Sequence, residues 1–201
     1  MTRSTTMTGS EIREGLPNPV KIISGVLCPK DAPDLLEWTA ARLSEHFGAI
    51  ERAGGPYDFD HTDYYSMISP RLVRCFFSFQ GLRGPEGIIG WKKFAIQVEA
   101  DSARGAGEGR RVNVDPGYLD GARLVLASTK DNAHRIYLGR GIYAELTLRW
   151  RKPGWESFSY TFPDFRSGVY NGFLDAARLD WKRDIRAIKG GTFNDRQIPH
   201  R

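Results

Sequence analysis

The stretch Arg110–Arg151 reads RRVNVDPGYLDGARLVLASTKDNAHRIYLGRGIYAELTLRWR, and its pattern sets the fold class. From Ile142 to Arg151 the residues alternate. Ile142, Ala144, Leu146, Leu148 and Trp150 point one way; Tyr143, Glu145, Thr147, Arg149 and Arg151 point the other. A period of two over this length is a strand with one face buried. Upstream, HRIYL is followed by Gly139-Arg140-Gly141. A three-residue loop there sets Leu138 opposite Ile142 and Ile136 opposite Ala144, and Gly141 can supply a left-handed residue. A two-residue loop would move Arg135 and Tyr137 to the core face. The expected hairpin therefore pairs Arg135 with Glu145 and Tyr137 with Tyr143, and sends His134 to the apolar side near Leu146.

Asp115-Pro116-Gly117 reads as a turn after the strand-like RVNV, and Lys130-Asp131-Asn132 as another before the hairpin. Between them, ARLVLAS is too short for periodicity to separate strand from helix. Read as a strand, it makes a meander with the hairpin. Asp115, Lys130 and Asp131 then stand at strand ends beside the polar face carrying Arg135 and Glu145.

The blocks VNVDPGYL, LVLASTKD, HRIYLGRGIYAELTL and YTFPDFRS resemble a bacterial and archaeal family, domain of unknown function 4416, with likeness from about Pro19 to Arg178. The resemblance implies a shared fold and a shared site but supplies no reaction. It gives weight to Asp63, Tyr64 and Tyr65. Some relatives are described as GTP-binding, yet this chain has no GxxxxGKS/T phosphate loop, so P-loop nucleotide binding is disfavoured.

Outward from the centre, Val20–Leu27 reads as a first strand. A helix follows, capped by Asp31 with Pro33 in its first turn, and Leu36, Ala40, Leu43 and Phe47 form its apolar stripe. Ala49–Arg52 is a short strand. PYDFDHTDYY (Pro56–Tyr65) reads as an acidic, aromatic loop without calcium-loop spacing. LVRCFFSF is another strand, and Pro85–Ala100 a helix weakened by Gly87 and Gly90. Ser157–Phe162 is a strand. Pro163-Asp164 opens a last helix with Tyr170, Leu174, Ala177, Trp181 and Ile185 on one face. The whole predicts an α+β domain over residues 19–188, flanked by a disordered polar tail at 1–18 and a polar tail at 189–201. Its core is one mixed, mainly antiparallel sheet with two or three helices on one face and a ferredoxin-like β-α-β-β-α-β start.

A net charge of +5 mildly favours an anionic small molecule or nucleic acid as partner. No apolar run reaches the ~18 residues of a membrane span. Cys28 and Cys75 lack metal-site spacing and read as buried reduced thiols of a cytoplasmic protein.

Asp63, Asp115, Glu145 and Asp164 supply carboxylates enough for one Mg or Mn ion, and Lys130, Arg135 and Arg166 can hold phosphate oxygens. Glu145, His134 and Asp115 are the catalytic candidates: Glu145 as general base or metal ligand, His134 because a histidine titrates near neutral pH. Tyr64, Tyr137 and Tyr143 can stack on a base. The expected function is binding of a phosphate-bearing ligand (nucleotide, RNA or phosphometabolite), with room for metal-assisted phosphoryl or nucleotidyl chemistry. The competing readings are a non-enzymatic nucleotide- or RNA-binding module, and a structural protein whose polar residues form only an ion-pair network.

Overall fold

The computed structural model describes residues 16–60, 67–103 and 109–194. In chain order these form β1 (Lys21–Pro29), α1 (Pro33–Phe47), β2 (Ile50–Phe59), β3 (Leu72–Phe79), α2 (Ile88–Asp101), β4 (Asn113–Leu119), β5 (Arg123–Ser128), β6 (Arg135–Gly139), β7 (Ile142–Arg151), β8 (Gly154–Ser157), α3 (Pro163–Arg166) and α4 (Asn171–Asn194). The strands make one antiparallel sheet in the order β2-β3-β1-β4-β5-β7-β6, with β8 also on β7. The first six labelled elements run β-α-β-β-α-β with strand order β2-β3-β1-β4, the ferredoxin-like arrangement expected at the start.

The helices cover both faces, which corrects the one-face expectation. Val26, Cys28, Cys75 and Phe77 pack with α1 and α2. Their neighbours of opposite parity, Ile23 and Phe76, pack with Phe173, Leu174 and Ala177 of α4. Strand β1 is buried along its whole length, as its near-continuous apolar run requires. Each large apolar side chain so buried contributes about 2 kcal/mol.

Other expectations shift for local reasons. Strand β2 extends to Phe59, through the stretch read as a loop, because it is an edge strand where bulges and Pro56 are tolerated. Ala32, not Asp31, precedes the first turn of α1, since Pro33 occupies its start. Strand β8 lies at Gly154–Ser157, earlier than expected. The final helix is broken: α3 ends at Arg166, Gly168 turns at φ +77, and α4 starts at Asn171. It continues to Asn194, past the expected boundary at 188. Glycines at 190 and 191 weaken a helix by about 1 kcal/mol each without ending this one.

Two irregularities, one in β6 and one in β7, shape the region of interest. Gly139 pairs with Ile142, so the hairpin loop is the two residues Arg140 (φ 54) and Gly141 (φ 75), and a bulge absorbs Leu138. The pairs Arg135–Glu145 and Tyr137–Tyr143 are as expected. Farther along, Val125 pairs with Leu146 and Leu124 with Leu148, leaving Thr147 as an extra residue. That bulge carries Leu148 to the α4 face, away from Ile142. Strand β7 also stands between β5 and β6, so the expected meander is not formed.

Candidate functional site

Strands β4 and β5 pair only from Gly117 to Leu119. Next along the edge is Pro116, which has no N–H to offer β5. Expected as part of a turn, Asp115-Pro116-Gly117 lies inside β4, and β4 and β5 stop pairing there. Buried backbone groups need partners, and α2 supplies them. Lys92 Nζ donates to Val114 O at 2.7 Å, and Val114 N–H donates to Glu99 Oε1 at 2.9 Å. Lys92 and Glu99 stand seven residues apart, two turns of helix, and so share one side of α2. A cavity of about 140 Å³ lies among α2, β4, the end of β5 and β7.

At one end is Arg74 from β3, whose side chain is 6% exposed. Its guanidinium lies 4.9 Å from the Phe59 ring centre and 5.6 Å from that of Phe165. Arg74 Nε is 3.3 Å from Asp164 Oδ2, and Nη1 is 3.9 Å from Asp115 Oδ2. Asp164 accepts a 2.9 Å hydrogen bond from Tyr170 OH, and burial pushes that phenol's pKa up. Arg74 Nε and Asp164 Oδ1 are buried without a hydrogen-bond partner. Asp115 is held by Asn113 Nδ2 at 2.7 Å and Lys92 Nζ at 3.4 Å.

At the other end is Glu145, 3% exposed. Arg135 Nε donates to its Oε2 at 2.8 Å, and His134 Nε2 lies 3.2 Å from the same atom. The extra residue Thr147 brings Oγ1 to 3.4 Å from Oε1. Arg135 Nη1 donates to Lys130 O at 3.2 Å, which ties the loop after β5 to β6. His134 stacks on Tyr160 at 4.5 Å. Burial, then the charge of Glu145, pushes the Tyr160 phenol up. Three carboxylates, Glu99, Asp115 and Glu145, thus face the cavity, each already engaged by cationic side chains.

Of the residues singled out from sequence, Asp115, Lys130, Arg135 and Glu145 line the cavity. His134 reaches it through Glu145 rather than packing on the apolar side. Asp164 lies against Arg74. Tyr137 and Tyr143 pair with each other at 5.1 Å, away from the lining, and Arg166 is exposed and apart from it. Asp63 and Tyr64 lie outside the described residues. Among the described residues no three His, Cys, Asp or Glu side chains group around one point. Arg74, Lys92, Glu99, Arg110 and Asn113 were not singled out as site residues, yet they line the cavity. The signal was present: an arginine inside LVRCFFSF, and Lys92 and Glu99 in step with Trp91, Ala95 and Val98 on a core-facing helix.

A family model described as Domain of unknown function (DUF4416) matches residues 18–181. The chain belongs to the DUF4416 family. All the cavity residues fall within the DUF4416 match, as do β1 to β8 and the first part of α4. No curated protein and no solved structure matches the chain.

Proposed function

We propose that this DUF4416 protein binds a phosphate-bearing anion in the cavity between β4 and β5. The observation that carries the reading is the charge of the walls. Arg74, Lys92, Arg110, Lys130 and Arg135 stand against Glu99, Asp115 and Glu145 on the lining and Asp164 behind Arg74, five cations to four acids. Three of those cations have side chains only 5–6% exposed. Buried charge is costly unless paired; the buried cations are held by carboxylates, and the net positive charge of the wall as a whole favours an anion. Arg74 and Arg135 suit phosphate oxygens because a guanidinium presents N–H donors in a fixed fork. Lys130 adds a flexible cation at the mouth.

Glu145 with His134 forms a pair able to move a proton at the cavity wall. A Mg or Mn ion, if the reaction uses one, would be shared between ligand phosphates and Asp115 or Glu145, the usual manner for Mg with few protein carboxylates. Cys28 and Cys75 are free and buried, and burial pushes both thiols up to about 11; this supports a reducing, cytoplasmic setting.

The test is a thermal-shift panel of inorganic phosphate, phosphorylated metabolites, nucleotides and a short RNA, each with Mg, Mn or EDTA. A ligand at a hundred times its Kd stabilises by about 2.7 kcal/mol. Stabilisation by phosphate-bearing ligands that weakens about tenfold in Lys130→Ala supports the reading. Equal response of wild type and Lys130→Ala, or none from any phosphate-bearing compound, would sink it. Dependence on metal and loss in Glu145→Gln would separate an enzyme from a binding module.

A further inference from the structure

Resting on the phosphate reading, we infer that the ligand is a phosphorylated sugar or polyol, with its phosphate on the Lys130–Arg135 side and its hydroxyls toward Asp115. The first ground is size. A cavity of about 140 Å³ is well below the roughly 300–1,000 Å³ that drug-sized ligands fill. That scale favours a short phosphorylated chain or a single ring over a whole nucleotide.

The second ground is chemistry that phosphate alone does not use. An ionised carboxylate only accepts hydrogen bonds. Asp115 on the cavity wall would repel a phosphate but suits hydroxyl donors. Its side chain is 23% exposed, and its Oδ1 has Lys92 at 3.4 Å, long for a charge-assisted hydrogen bond, so that oxygen retains acceptor capacity. Ser128 at the end of β5 and Thr129 just after it add hydroxyls.

The third ground is apolar surface. Phe59, Phe165 and Leu126 line the same cavity, and flat apolar faces suit the C–H faces of a sugar. Anion-binding cations, hydroxyl-accepting acids and aromatic walls in one small cavity together describe a ligand with a phosphate, several hydroxyls and a carbon skeleton.

Titration calorimetry of the full chain settles it with five probes: inorganic phosphate, glycerol 3-phosphate, ribose 5-phosphate, unphosphorylated ribose and AMP. The expected order puts a sugar or polyol phosphate at least about tenfold tighter than inorganic phosphate, with ribose weak and AMP no tighter than ribose 5-phosphate. Asp115→Asn should remove that tenfold gap while leaving inorganic phosphate as tight or tighter, because the repelling charge is gone. Equal affinity for all phosphate compounds, or AMP as the tightest, would overturn the sugar inference and leave the phosphate reading standing. Binding of ribose without any gain from its phosphate would overturn both. If Asp115→Asn does not fold, the order of the five probes on the native protein decides alone.

Discussion

Arg74 is an arginine in a strand otherwise built for the core, and its burial makes it sensitive to change. Asp164, 1% exposed, depends on it for positive charge. Removing one partner of a buried ion pair costs about 3–5 kcal/mol, since the remaining charge is left uncompensated. Arg74→Met should therefore lower unfolding free energy by about 3 kcal/mol in a urea titration. Arg74→Met with Asp164→Asn should recover part of that loss, because the stranded charge is removed as well. An additive double variant would show that the two residues act separately. His46 offers a second residue-scale test. Its ring stacks on Phe94 at 3.9 Å, and burial lowers its pKa. The folded state thus takes up the proton less readily than the unfolded chain. Stability is full above the ordinary histidine value of about 6.5 and falls as pH drops through it, levelling below the folded pKa. His46→Phe should flatten that part of the stability–pH curve between pH 7.5 and about 5, read by denaturant midpoints; an unchanged slope would exclude His46 as its source.

At the scale of elements, the close approach of β4 and β5 hangs on Gly117. A Cβ at that position would overlap Val125 O, with Leu126 Cα only 2.9 Å away. Both are backbone atoms, so relief requires moving a strand. Gly117→Ala should cost about 2–3 kcal/mol by thermal or denaturant unfolding; a loss below about 0.5 kcal/mol would mean that β5 can shift freely. The same strands show what sequence could and could not reveal. The alternation of Ile142–Arg151 gave the strand, and Arg135–Glu145 follows from its pairing. The bulge at Thr147 was hidden, because one extra residue leaves the composition unchanged while reversing every later side chain. Asp115-Pro116-Gly117 has the composition of a turn. In place, Pro116 ends one pairing and Gly117 permits another, and the neighbouring strands keep the segment extended. Gly87 and Gly90 make the helix of Lys92 read as weak, yet the seven-residue interval from Lys92 to Glu99 carries the information. Tertiary context decided these cases, and short-range propensity could not anticipate it.

At the scale of the whole molecule, the cavity sits at a seam. On one side stands the β-α-β-β-α-β unit, from which come Arg74, Lys92, Glu99 and Asp115. On the other stands the β5–β8 extension, with Lys130, Arg135 and Glu145. The two sides share backbone pairing over only Gly117–Leu119 with Leu124–Leu126, along with the packing of α2 and α4. On the distal edge, β6 covers only the first half of β7 and β8 the second. Between them Tyr160 OH donates to Leu146 O at 3.1 Å and Thr161 Oγ1 to Thr147 O at 2.8 Å, side-chain bridges over the gap. Local opening of the β6 edge should therefore precede global unfolding. A phosphate-bearing ligand held by cations from both sides would bind only the closed seam, and by linkage would suppress that opening. In hydrogen exchange, amides of β6, β7 and the Ser128–Asn132 loop should slow with saturating ligand. The limit is about a hundredfold at a hundred times Kd, and amides at the centre of β1 and β3 should change least. Slowing confined to α2 and β4 would place the ligand on one side alone. It would also remove Lys130 and Arg135 from its contacts, since a ligand that does not touch β6 has no means of holding it shut.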